Sequence, residues 1–339
     1  MSITLPDLDA LTRRLPAGYR ARPFREEDRE QLVAARNVEA HPVQRGTAEE
    51  WRRWEQLAPD PDMLRVVVEA TDGAVVAAAN VSNGGPFRAP DGSARGGVHV
   101  AQGHRRKGLG SALLPIVEEE ARRRGAPRVL AGVTADQPFA VEWALARGYV
   151  EIGRRIQSFV DLARFDPAEW GEQARRPKDG GIRFVSLAER ADTLDDAARE
   201  AIYRELYDVE AEAWDDVPVA TPMPHWAYDI FRRLLVENPE SAPDLSVLAL
   251  EGDKIVGLTT SYRSGERKGG TGFTGTLRAY RGRGIAFTLK VEALGRAKAA
   301  GLGSLITTND EPNKAMRGIN RRLGYQMLPA NIQLEKKLT

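Results

Sequence analysis

The chain has 339 residues, 42% of them hydrophobic, and its 49 lysines and arginines against 48 acids leave a net charge of +1. At ~100 to 200 residues per domain this length predicts about two domains, and the balanced charge excludes a chain-wide basic surface, so no nucleic-acid partner is expected. The absence of cysteine excludes disulfides, thiolate nucleophiles and cysteine-ligated metals, and fits a reducing compartment.

In chain order, the opening MSITLPDLDALTRRLPAGYR has early acids and no apolar run of signal-peptide length. Turn-bounded apolar segments then predict strands at 20–23, 64–70, 75–81 and 98–101, with a helix from Glu26 after the first. A helix is predicted over 108–124, stopped by Gly125, with Glu118, Glu119 and Glu120 each one helical turn ahead of an arginine. Pro115 inside it predicts a kink. A strand at 129–133, a helix at 140–146 and strands around Tyr149 and Ile156 follow. The polar, turn-rich run 165–181 predicts a seam, giving domains 1–165 and 181–339 with 166–180 as linker. From Ile182 the same order of elements returns, so each domain is expected to be mixed α/β around one sheet. No window approaches ~18 uncharged apolar residues; a cytoplasmic protein without a membrane span is expected. The four histidines, His41, His99, His104 and His225, are scattered, so no metal site is expected.

The chain spells one pattern twice. RRKGLGSALL from Arg105 and RGRGIAFTLK from Arg281 place Gly108 and Gly284 176 residues apart. The same shift carries Gly125 onto Gly301, Tyr149 onto Tyr325, and RIQSFVDL from Arg155 onto NIQLEKKL from Asn331. Two compact copies explain this better than a solenoid, whose units are far shorter.

Each repeated stretch carries the chain from a strand into a helix. Such an entry gathers unpaired backbone N–H groups and the positive end of the helix dipole, which suits an anion. Gly108 and Gly284 can take a positive φ and let a phosphate approach, while Gly110 and Ala286 keep the first turn small. Arg105, Arg106, Lys107, Arg281 and Arg283 add charge. A Walker loop is excluded because Leu109 stands where lysine is required. A dinucleotide fingerprint is excluded because the third glycine and the ribose-binding acid are missing.

The pattern basic-x-x-Gly-x-small, followed by ARGY ending at Tyr149 or RLGY ending at Tyr325, resembles the GNAT N-acetyltransferase superfamily. NDEPNKAMRGINRRLGY, from Asn309, adds to the likeness in the second copy. Taken over nearly the whole chain, the arrangement resembles bacterial tandem-domain GNAT proteins of the mycothiol-synthase-like kind. The resemblance implies two tandem domains, each a mixed, mostly antiparallel sheet flanked by helices, with a splayed parallel strand pair that takes acetyl-CoA. The pyrophosphate would sit on the N–H groups of Arg106, Lys107, Gly108, Leu109, Gly110 and Ser111, and of Gly282, Arg283, Gly284, Ala286 and Phe287. Strand backbone near Val100 and Thr276 would meet the pantetheine. Asn313 occupies the family's pantetheine-contacting asparagine position, which is Gln137 in the first copy, so the second domain is the better match.

The family's tyrosine acid falls on Ala144 and Asn320, leaving the acid open. His99 and Asp310, beside the expected clefts, are the other candidates for proton transfer. The divergent run VEAEAWDDVPVATPMPHW from Val209 offers Trp214, Asp215, Asp216 and Trp226 to a cationic amine with an apolar body. The expected activity is acetyl transfer to the primary amine of a small molecule. A non-catalytic CoA-binding sensor and a peptide or protein N-acetyltransferase remain alternatives, and the oligomeric state stays open.

Overall fold

The computed structural model describes residues 7–86, 88–219, 223 and 225–338. The first repeat runs α1 (Leu8–Arg14), β1 (Tyr19–Pro23), α2 (Asp28–Asn37), α3 (Ala48–Leu57), β2 (Leu64–Ala70), β3 (Val75–Ser82), β4 (Ala94–Val100), α4 (Leu109–Arg123), β5 (Arg128–Thr134), α5 (Pro138–Leu145) and β6 (Val150–Asp161). The second adds α6 (Gly171–Asp179), β7 (Ile182–Ser186), α7 (Leu187–Ala191), α8 (Asp196–Trp214), α9 (Tyr228–Arg232), β8 (Val247–Glu251), β9 (Lys254–Ser264), β10 (Lys268–Thr276), α10 (Ile285–Ala299), β11 (Ser304–Asp310), α11 (Lys314–Arg322), β12 (Gln326–Met327) and β13 (Asn331–Lys337). Helix α4 continues through Pro115. Arg124 meets Glu120 at 2.6 Å one turn away, as the charge spacing predicts, whereas Glu118 also takes Lys336 at 2.8 Å.

Two compact units result, and they divide the sequence differently from the expected seam. Of the described residues, one comprises 7–154 with 330–338 and Met223, the other 155–219 with 225–329. The strands of the first unit follow the order β1-β2-β3-β4-β5-β13, and those of the second β6-β11-β10-β9-β8-β7 with β12 on β6. Each unit is therefore closed by the last strand of the other repeat: β13 pairs antiparallel with β5 from Asn331↔Thr134 to Lys337↔Arg128, and β6 with β11 from Ser304↔Asp161 to Asp310↔Arg155. The expected linker is folded as well. A 3-10 turn at Pro167–Trp170 and α6 belong to the second unit, and Phe165 and Ala174 lie in its core.

In the first sheet the strand period of two separates the faces. Val66 and Val68 pack with Leu113 and Val117 of α4, whereas Val67 packs with Leu32 of α2. In the second unit Leu289 of α10 packs with strand residues Ile255, Val256 and Leu258. One helix of each repeat thus crosses its sheet with its N-terminus at the end of the central strand, which positions the repeated glycine loop. Among the described residues no helix is long and apolar enough to cross a membrane.

Candidate acetyltransferase sites

Both glycine loops adopt one backbone solution. Gly108 and Gly284 cap α4 and α10 at φ 85° and 83°, and neither helix has a side-chain N-cap. The first intrahelical bonds are Ala112 N–H to the Gly108 carbonyl at 3.0 Å and Thr288 N–H to the Gly284 carbonyl at 3.1 Å. The preceding donors of the first turn are left for a ligand. Two residues earlier the chain is again left-handed, at Arg106 with φ 62° and Gly282 with φ 76°. Arg106 is the one non-glycine residue in that region among the described residues. Successive left-handed and helical residues aim their amides at one point, the geometry of an anion nest. A Cβ on Gly108 would meet nothing within 4 Å, so conformation rather than crowding requires glycine there.

The basic residues divide by role. Arg105 donates from Nε to the Val100 carbonyl at 3.0 Å, grips Glu39 through both terminal nitrogens, and lies 4.8 Å from the Phe139 ring. Arg281 repeats this, donating to the Thr276 carbonyl at 3.3 Å and to Asp216 at 2.8 Å. Each arginine ties its loop to the end of the preceding strand, and a carboxylate engages its charge. Arg106 and Lys107 are exposed and carry no ion pair among the described residues, which leaves them for a phosphate. Arg283 lies over Tyr280 at 4.7 Å, with Glu251 3.9 Å away. Cradle N–H groups, left-handed backbone and these cations together fit the pyrophosphate of a CoA thioester.

Beside each cradle the central parallel strands part. β4 and β5 pair only at Ala94↔Val129 and Arg95↔Leu130, and β10 and β11 only from Lys268↔Ser304 to Gly270↔Ile306. The two gaps differ. β4 keeps unbroken register with β3 from Ser82↔Arg95 to Ala77↔Val100, whereas β10 slips against β9 between Thr271 and Thr274. At this bulge Phe273 donates its N–H to Thr260 Oγ1 at 2.9 Å, and a Cβ on Gly272 would meet that oxygen at 2.8 Å. A bulge re-aims backbone groups away from the ladder, here at the apex of the second gap.

The candidates for proton transfer occupy distinct surroundings. His99, on β4, is mostly buried with Nε2 unpartnered among the described residues, and burial followed by Arg36 and Arg105 pushes its imidazole down to about 4. It is neutral at pH 7. Asp310 is buried at the end of β11 and accepts from Arg155 at 3.0 Å. Asn320 is also buried, donating to Asn309 Oδ1 at 2.7 Å. Asn313 caps α11 by accepting from the Met316 N–H, while Gln137 leans toward Glu39 at 3.5 Å.

In the divergent run of the second unit, Asp216 holds Arg278 at 2.6 Å as well as Arg281, so its charge is engaged. Asp215 is exposed, 3.9 Å from Arg278. Trp214 joins a ring cluster with His225 and Phe273, at 6.2 and 5.9 Å between centroids. The Trp226 carbonyl accepts from Tyr207. Residues 220–222 and 224 of this run lie outside the described residues.

Several neighbours of the cradles gave little sequence signal. Arg147 bonds Ser111 Oγ at 2.9 Å while stacked 4.1 Å from Trp143, placing a cation at the first turn of α4. Arg322 stands 4.6 Å from Phe287, the residue matching Ser111 in the other repeat. Only the RG and RL steps before the final tyrosines hinted at them. Lys290, on α10, was hidden inside the cradle motif itself.

A splayed parallel pair opening onto a left-handed cap, built twice, defines a tandem acetyltransferase fold. The chain belongs to the acetyltransferase (GNAT) family, whose model matches residues 25–149 and again 200–325. No curated protein matches the sequence. Among solved structures, a GCN5-related N-acetyltransferase from Sphaerobacter thermophilus aligns over 96% of this chain and 97% of its own, at 24% identity and TM-score 0.71. A tandem GNAT protein from the clavulanic acid biosynthesis pathway aligns over 95% and 99%, at 19% identity and TM-score 0.70. A glucosamine N-acetyltransferase region of a fungal multi-domain β-N-acetylglucosaminidase aligns over 94% of this chain and 38% of that one, at 16% and 0.68. These likenesses are of fold.

Proposed function

We propose that the protein binds acetyl-CoA at both cradles and that the second unit transfers acetyl to the primary amine of a small molecule. The observation that carries the assignment to the second unit is the bulge in β10, which β4 lacks. When bound, the thioester supplies an activated acyl carbon. The N–H groups of Gly282 to Phe287 would hold its pyrophosphate, aided by Arg283, and the corresponding groups of Arg106 to Ser111 would do so in the first unit. Backbone of β10 beyond Gly270, where the strand no longer pairs with β11, would orient the acyl end and offer it a hydrogen-bond donor. Asp216 and Glu39 keep the loops in place through Arg281 and Arg105. The ring cluster around Trp214 gives an acceptor an apolar wall. In the first unit, the neutral His99 and unbroken β4 suit binding without turnover.

A cysteine-free chain permits a thiol-release assay without background. Across an amine library, the parent is expected to release thiol with selected small amines. Release with peptides alone would shift the reading to a peptide acetyltransferase, and binding without release to a CoA sensor.

A further inference from the structure

Glu210 and His225 bring two polar groups together in the interior of the second unit. Glu210, on α8, is only 6% exposed, and burial raises its carboxyl above the ordinary range, with His225 the one group acting against that rise. His225 Nε2 stands 3.6 Å from Glu210 Oε1, just beyond hydrogen-bond reach. Both imidazole nitrogens are buried without a hydrogen-bond partner among the described residues. Stability alone favours apolar side chains at such a place, because desolvating an ion pair costs as much as its attraction returns. A buried unpaired imidazole therefore calls for another explanation.

Its position supplies one. His225 lies 4.8 Å from the Tyr207 ring, 6.2 Å from Trp214 and 6.5 Å from Phe231. Trp214 in turn meets Phe273, inside the β10 bulge, at 5.9 Å. Glu210 and Trp214 are one turn apart on α8 and share a face. That face, which also carries Ala213, is held against β10: a Cβ on Gly275 would come within 2.6 Å of Ala213. One aromatic ring thus separates the pair from the strand that bounds the gap.

We propose that Glu210 and His225 are the proton-accepting dyad of the second unit, serving a protonated primary amine that enters beside Trp214. This rests on the amine reading above. An ammonium group has no lone pair, so it gives one proton to a nitrogen of His225, and Glu210 stabilises the imidazolium formed. The neutral amine forms the N–C bond as the C–S bond breaks. Its second proton leaves with the thiolate, giving amide and thiol, and His225 returns its proton to solvent. The ionisable groups facing His225 are Glu210 and Tyr207 of α8, and the Tyr207 hydroxyl is committed to the Trp226 carbonyl. From α9, Phe231 faces it; Tyr228, next to Tyr207, donates to Glu200. From β10 the nearest side chain is the apolar Phe273, through Trp214.

The test uses the full chain with His225→Gln and Glu210→Gln. His225→Gln is expected to lower kcat about a hundredfold, the lower range for a general base, to leave acetyl-CoA affinity unchanged, and to flatten the acid limb of the kcat profile. Turnover within about twofold of the parent, or an unaltered acid limb, overturns the proposal. If the parent turns over no amine, the amine reading fails, and nitrogen-15 NMR of the histidines decides the dyad separately. The dyad predicts that Glu210→Gln moves the His225 ring-nitrogen resonances at fixed pH, and unmoved resonances overturn it. Retained acetyl-CoA binding shows that each variant is folded.

Discussion

Lys290 shows how far a single side chain can depart from the pattern around it. It sits on the core face of α10, 2% exposed, with Nζ unpartnered among the described residues and 4.8 Å from the Tyr325 ring. Burial alone pushes its amine from 10.5 down to about 7. The folded value is the depressed one, so the unfolded chain binds more protons across that interval and stability rises with pH between about 7 and 10.5. At ~1.4 kcal/mol per pKa unit the penalty below pH 7 is of order 5 kcal/mol, partly offset by ~1 kcal/mol of cation–π attraction. The matching residue of the first repeat is Leu114. Lys290→Leu should therefore stabilise the second unit by roughly 2 to 4 kcal/mol at pH 7 and flatten the rise with pH; urea titrations at several pH values measure both. In the first unit the lysine over the equivalent tyrosine, Tyr149, is Lys336, and there Glu118 neutralises it. The sequence shows the Leu-to-Lys difference but not which helix face is buried, so this amine was invisible until the helix was placed.

At the scale of elements, the cradles were legible because their chemistry is local. Glycine at a left-handed cap and basic residues on a strand-to-helix turn need nothing distant to explain them. The bulge was not legible, since Gly272 and Phe273 leave the ladder where Thr260 on the neighbouring strand takes the freed N–H. Two glycines separate conformational from steric demand. A Cβ on Gly110 would meet Trp143 at an ordinary 3.5 Å, and the other repeat carries Ala286 there. Gly110→Ala is thus expected to be neutral or stabilising by up to ~1 kcal/mol, with acetyl-CoA binding kept. A Cβ on Gly275 would press Ala213 and Phe273 at 2.6 Å. Gly275→Ala should push α8 off β10, destabilising by about 1 to 3 kcal/mol and lowering turnover. Equilibrium denaturation with thiol release distinguishes the two outcomes.

At the scale of the molecule, duplication was plain in the sequence, but the closure of the units was not. The strands that close them, RIQSFVDL and NIQLEKKL, match each other at the repeat distance. Either could pair with either partner strand, and only long-range register decides; it gives β13 to β5 and β6 to β11. The expected boundary follows chain order, whereas the compact units do not. One consequence is that Leu334, at the far end of the chain, is a core residue of the first unit, 1% exposed. Leu334→Ala should cost about 2 to 5 kcal/mol and remove amide-exchange protection from β5 while sparing β11. The most direct measurement concerns the two cradles themselves: acetyl-CoA titration by calorimetry with thiol release, on the parent, Gly108→Glu, Gly284→Glu and the double variant. Two binding events in the parent, one in each single variant and none in the double variant are expected, with turnover lost only when Gly284 is replaced. Parent-like binding by the double variant would contradict the cradle assignment, and turnover surviving in Gly284→Glu would contradict catalysis by the second unit.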